Sequence, residues 1–171
     1  AVQRYAENLE QRVAGRTADL QQEKQLSEDI VNSLPGIFLM YNDQGELVRW
    51  NDQFERRSGY SAEELASIPV IKFADRQQVS AAAQQMQTIY EEGRGESEFN
   101  IVAKDGTSTP YFFSSLRITL DENLYVIGVG IDITERKRAE VALKESEARF
   151  RDLYNQTPIG LMRSRLDGTV L

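Results

Sequence analysis

Along residues 1–34 the apolar side chains Val2, Ala6, Leu9, Val13, Leu20, Ile30 and Leu34 fall on the a and d positions of one heptad register, which predicts a long helix with a single seam. Arg16, Glu23 and Ser27 interrupt that seam, and Gly15 stands inside it at a cost of about 1 kcal/mol relative to Ala. The opening residues carry little else that could cover the stripe, so it asks for a parallel partner helix. Leu34-Pro35-Gly36 stops the helix. The period then changes from helical to extended. Ile37–Tyr41 and Glu46–Trp50 read as two strands joined at Asn42-Asp-Gln-Gly45, a hairpin.

Asn51 or Asp52 can cap a short helix that runs through Phe54 and Arg57 and stops at Gly59. Ser61-Ala-Glu-Glu64 has capping-box spacing and opens another. Asp75-Arg-Gln-Gln78 opens a longer helix, in which Val79, Ala82, Ala83, Met86, Ile89 and Tyr90 share one face and Gly93 ends the run. Phe99–Lys104, the turn Asp105-Gly106 and Tyr111–Leu120 form a second hairpin. Pro110 lacks an amide donor and is expected to face away from a ladder partner or to mark a bulge. One residue of turn length decides whether Tyr111, Phe113 and Ser115 or Phe112, Ser114 and Leu116 point inward.

The segment Leu124–Thr134 is an apolar strand that switches abruptly to the charged helical run Glu135-Arg-Lys-Arg-Ala-Glu140. Val126, Gly128 and Gly130 share one strand face, and Ile127, Val129 and Ile131 the other. Two interior glycines at period two imply a close approach to the backbone by a helix, another chain or a ligand. Asp132 or Thr134 can cap the following helix, with Asp132 and Glu135 at capping-box spacing, so whatever moves the strand can move the helix. That helix carries a second heptad-like stripe, Ala139, Leu143, Ser146, Phe150 and Leu153. The order of elements, two strands, helices, then three strands, predicts an α+β domain: a five-stranded antiparallel sheet with helices on one face, flanked by long terminal helices.

Composition narrows the chemistry. Among 171 residues there is no cysteine and no histidine. That removes disulfides, a thiol nucleophile, the usual haem ligand and the usual general base. A net charge of −7 argues against nucleic acid as a partner. The longest apolar runs fall far short of the ~20 residues of a membrane span. The segment is expected to be cytoplasmic and to make no membrane contact, whether or not a parent protein is anchored. Without a phosphate-cradling Gly loop or a paired-carboxylate signal, catalysis ranks behind regulation.

Residues 153–171 laid over residues 30–48 match Leu153 to Ile30, Asn155 to Asn32, Pro158 to Pro35, Gly168 to Gly45 and Val170 to Leu47. The chain starts to repeat itself. The expected organisation is therefore an N-terminal coiled-coil signalling helix (1–26), a core domain (27–134), a linker helix (135–154) and the start of a second copy (155–171).

Asn51-Asp-Gln-Phe54 with Gly59-Tyr60-Ser-Ala-Glu-Glu-Leu65, then Lys104-Asp-Gly106, then Asp132-Ile-Thr134 with Glu135-Arg-Lys137, together resemble the PAS sensor domain over about residues 27–137. The resemblance implies a noncatalytic module of a bacterial signalling protein, a sensor histidine kinase or a cyclic-di-GMP enzyme, acting through an output domain outside this segment. It also implies a parallel homodimer through the flanking helices and a pocket between sheet and helices. By position it points Leu39, Phe99, Ile101, Tyr111, Phe113, Ser115, Val126, Gly128 and Gly130 into that pocket, with Phe73, Val79 and Met86 from the helices. Asn51, Asp132, Thr134 and Glu135 become relay residues. The missing Cys and His argue against a covalent flavin adduct and against haem; a noncovalent flavin stays open, although the Gly-Val-Gly face lacks polar groups to read its ring, and a small apolar ligand is the expected occupant. The competing reading is a ligand-free dimerisation and relay module whose pocket is filled by Phe99, Tyr111, Phe112 and Phe113.

Overall fold

In the computed structural model, which describes residues 2–156, the chain forms two units that divide between Ile133 and Thr134. The repeat expected at 155–171 lies outside the described residues beyond Gln156. The first unit opens with helix α1 (Val2–Ser33), followed by β1 (Ile37–Asn42) and β2 (Leu47–Trp50). Two short helices, α2 (Asp52–Ser58) and α3 (Ala62–Leu65), a 3₁₀ turn at Val70–Phe73 and helix α4 (Val79–Glu92) come next. Strands β3 (Arg94–Val102), β4 (Ser108–Leu120) and β5 (Asn123–Asp132) complete the sheet, and α5 (Thr134–Gln156) forms the described part of the second unit.

The five strands pair antiparallel in the order β2-β1-β5-β4-β3. The first and last strands of the sequence thus lie side by side at the centre, with Ile37 opposite Gly130 and Tyr41 opposite Val126. Ile37, Leu39 and Tyr41 of β1, Tyr111 and Phe113 of β4 and Val126 of β5 are buried together with Phe54, Leu65, Phe73 and Ile89 from the helical layer. This decides the face of β4: Tyr111 and Phe113 point inward, whereas Leu116 stands exposed on the other side.

Local chemistry accounts for most boundaries. Asn51 caps α2, accepting from the Phe54 amide, and Ser61 with Glu64 forms the capping box of α3. The hydrogen bond from Lys104 Nζ holds the exposed Glu64 carboxyl below the usual range.

Three sequence expectations need correcting. Helix α4 starts at Val79 rather than Asp75, because Asp75 instead turns its carboxylate onto the Gln77 amide. Strand β3 starts at Arg94 rather than Phe99: its outward residues Glu96 and Glu98 are the charged face of an edge strand and mask its apolar period. Strand β4 starts at Ser108 rather than Tyr111, because Ser108, Thr109 and Pro110 already pair with Val102, Ile101 and Asn100 across the turn. Pro110 lies opposite Asn100, whose N–H donates to the Gln78 side chain and whose carbonyl accepts from the Asp75 amide. The proline therefore sits where the ladder needs no donor.

Candidate functional site

The space between sheet and helices is a cavity of about 70 Å³. Leu39 and Tyr41 of β1, Ser97, Phe99 and Ile101 of β3, and Phe113 and Ser115 of β4 line it from the sheet side. Val70, Ile71, Phe73, Ala74, Ala82, Gln85, Met86 and Ile89 line it from the helical side. Seven of the sequence-derived candidates thus meet here: Leu39, Phe73, Met86, Phe99, Ile101, Phe113 and Ser115. Tyr111, Val126, Gly128 and Gly130 are buried in the sheet but do not reach the cavity. Val79 does not belong to it. It is 38% exposed in the first turn of α4, one turn before the inward stripe of Ala82, Met86 and Ile89.

The glycines of β5 have a different explanation from a ligand, a helix or another chain. A side chain at Gly130 would stand 2.6 Å from Phe113 Cε1 and 2.8 Å from Ile37 Cγ1. One at Gly128 would stand 3.3 Å from Leu39 Cδ1. Side chains of the neighbouring strands fold over the bare backbone of β5, so the face that looks hollow in sequence is filled by its own sheet.

Sequence reasoning missed Tyr41, Ser97 and Gln85. Tyr41 shares its face with Leu39 and was accessible from period two alone, whereas Ser97 was hidden in the polar opening of β3. Tyr41 is 4% exposed, and burial pushes its phenol well above the ordinary range, with Tyr90 adding to the effect. The Tyr90 hydroxyl donates to the Asn42 carbonyl at 2.6 Å, and its phenol is pushed up to about 12, chiefly by burial. Tyr111 is also raised by burial.

At the end of the sheet where β1 enters and β5 leaves, the backbones are in contact. Gly36 has φ +106°, and a Cβ there would collide with the Gly130 carbonyl oxygen. Only glycine meets both conditions. Asn51, 1% exposed, fastens this joint. Its Oδ1 accepts from the Phe38 amide at 3.0 Å and the Phe54 amide at 3.1 Å. Its Nδ2 donates to the Gly36 carbonyl at 2.9 Å and to the Val31 carbonyl of α1 at 3.4 Å. One side chain thus holds α1, the joint, β1 and α2. Nearby, the Asp52 amide donates to Asn32 Oδ1, and Arg49 of β2 donates to the Ser27 hydroxyl at 2.8 Å. On the exit side Asp132 pairs with Arg57 of α2 at 4.0 Å. Thr134 is the first residue of α5, and Glu135 lies in its first turn, where a carboxylate complements the helix dipole.

A family profile described as PAS domain matches residues 35–135. A methyl sulfide methyltransferase-associated sensor from Methanosarcina acetivorans is 33% identical over 97 residues, which is 57% of this chain and 10% of that protein. The chain therefore spans about a tenth of the length of this curated relative. The PAS domain of an HTR-like protein from Haloarcula marismortui superposes with a TM-score of 0.63 at 18% identity, over 70% of this chain and 99% of that one. A PAS domain from a two-component sensor histidine kinase gives a TM-score of 0.57 at 16% identity, over 66% and 97% of the two chains. Both superpositions establish likeness of fold.

Proposed function

This chain belongs to the PAS domain family, and from that premise we propose that it is a noncatalytic sensory relay, in which the state of the cavity is passed through the central strands to the flanking helices. The output domain they would drive lies elsewhere in a parent protein.

The observation that carries this reading is the joint at Gly36 and Gly130. The strand fed by α1 and the strand that continues into α5 are hydrogen-bonded neighbours, and they touch backbone to backbone at the point where one enters and the other leaves. Asn51 spans from α1 to the entering strand and to α2, and Arg57 of α2 reaches Asp132 at the exit. A displacement of β5 cannot leave the α1 connection undisturbed, since close-packed backbones have no slack to absorb it.

Phe113 and Ser115 line the cavity and pair with Gly130 and Gly128 of β5, so the cavity wall is one strand from the exit. The heptad stripes of both helices support a parallel homodimer as the working unit. Leu9, Val13, Leu20 and Ile30 of α1, and Leu143, Phe150 and Leu153 of α5, are exposed in the single chain. A ligand-free relay is the second reading, favoured by the filling of the glycine face by Phe113 and Ile37.

The test is amide hydrogen exchange in the first turns of α5, comparing the native chain with Ser115→Leu, which fills the cavity. The relay reading expects altered protection at Thr134–Val141. Unchanged protection in a folded variant would refute transmission from the cavity.

A further inference from the structure

The chemistry of the cavity defines what can enter it. An engineered apolar cavity of ~150 Å³ takes up benzene, and this one, at about 70 Å³, is half that size. An aromatic ring or a flavin does not fit. By the same ratio the space holds roughly three non-hydrogen atoms.

Among the described residues no charged one lines it. A carboxylate or an ammonium ion would be buried there without a counter-charge, at high cost. A bare hydrocarbon is also a poor match. The hydroxyls of Tyr41, Ser97 and Ser115 all belong to lining residues, and among the described residues none of the three has a hydrogen-bond partner. Every fully buried side-chain polar atom in the described residues is satisfied, so these hydroxyls keep contact with open space. Tyr41 is almost wholly buried. Its phenol remains a donor through the neutral range, since burial pushes its ionisation upward. Each hydroxyl can donate once and accept twice. Apart from the amide of Gln85, which donates to the Glu96 carbonyl, the rest of the wall, including Leu39, Ile89 and Phe113, is apolar.

Resting on the reading of this cavity as the sensory input, we propose that its ligand is a short-chain, uncharged oxygen compound, an alcohol, ketone or amide of about three to four non-hydrogen atoms. Its oxygen hydrogen-bonds a serine hydroxyl of the wall, Ser97 or Ser115 of the neighbouring strands β3 and β4, while its carbons displace water from the apolar wall. The carbon part makes such a molecule a better occupant than water itself, which would leave that wall wetted.

The experiment is an amide-resolved NMR titration of the chain with acetone, acetamide and acetate, three molecules of nearly the same size that differ in charge. Acetone and acetamide are expected to shift the amides around Ser97 and Ser115 saturably, and acetate is not. Ser115→Ala should weaken acetamide binding about fivefold, the loss of one hydrogen bond. Ser97→Ala, on the edge strand, gives the same reading should the first variant fail to fold. Acetate binding as tightly as acetamide would overturn the uncharged class while leaving the input site in place. No saturable shift from any of the three would overturn the ligand altogether. The sensory relay is judged separately, by the α5 protection of Ser115→Leu, which needs no ligand.

Discussion

Three glycines that look interchangeable in sequence are held for different reasons, and substitution should separate them. Gly128→Ala meets the flexible Leu39 side chain at 3.3 Å and the Ser115 hydroxyl at 3.5 Å and is expected to change stability by less than about 1 kcal/mol. Gly130→Ala presses on the Phe113 ring, which is also packed against Tyr111, and should cost about 1–3 kcal/mol. Gly36→Ala adds an unfavourable φ to a collision with backbone and should cost the most. Urea unfolding of the three variants checks the order, and Gly128→Ala as the most damaging would contradict it. The sequence showed that something crowds β5, but not what. Periodicity reports which residues share a face, whereas Phe113 and Ile37 come from strands whose register only the folded sheet sets.

A second residue-scale prediction concerns alkaline pH. Below about pH 10 the phenols are protonated in both the folded and the unfolded chain, so stability owes nothing to their ionisation there. Above it the unfolded chain loses phenolic protons first, while Tyr90 holds its proton to about 12 and Tyr41 and Tyr111 are raised as well. The unfolded state then binds fewer protons, and stability falls as pH rises. The urea midpoint should stay level from neutral pH to about 10 and drop beyond it. A midpoint unchanged up to about pH 11 would contradict the burial of these rings.

At the scale of elements, the strands and helices with strong periods or complete caps were legible: β1, α2, α3 and β5 follow from alternation, Asn51, and Ser61 with Glu64. The first half of β3 was not, because Glu96 and Glu98 face outward on an edge strand and the inward Gly95 and Ser97 are not hydrophobic. Ser97 of the cavity was lost with it. In α1 the seam residue Ser27 accepts a hydrogen bond from Arg49, so the helix turns this part of its stripe toward its own domain. Partner contacts are therefore expected along Leu9–Leu20. On that basis Arg16→Leu, which removes a charge from the seam, should tighten the homodimer. Sedimentation equilibrium measures it, and a weaker dimer, or a monomer at high micromolar concentration, would contradict the parallel pairing.

For the whole molecule, the layered sheet and the position of the cavity followed from the order of the elements and the resemblance. The coupling did not, because no local pattern in sequence says that Asn51 reaches α1, β1 and α2 at once. Transmission between the flanking helices through this joint can be addressed directly, because the chain has no cysteine. Glu147→Cys places a single spin label on each α5, and pulsed electron paramagnetic resonance then measures the distance between the two helices of the dimer. Introducing Asn51→Ser removes the bonds to Gly36 and Val31 while leaving a helix cap. A shifted or broadened distance distribution is expected in a protein whose sheet remains folded. Identical distributions with and without Asn51 would contradict it.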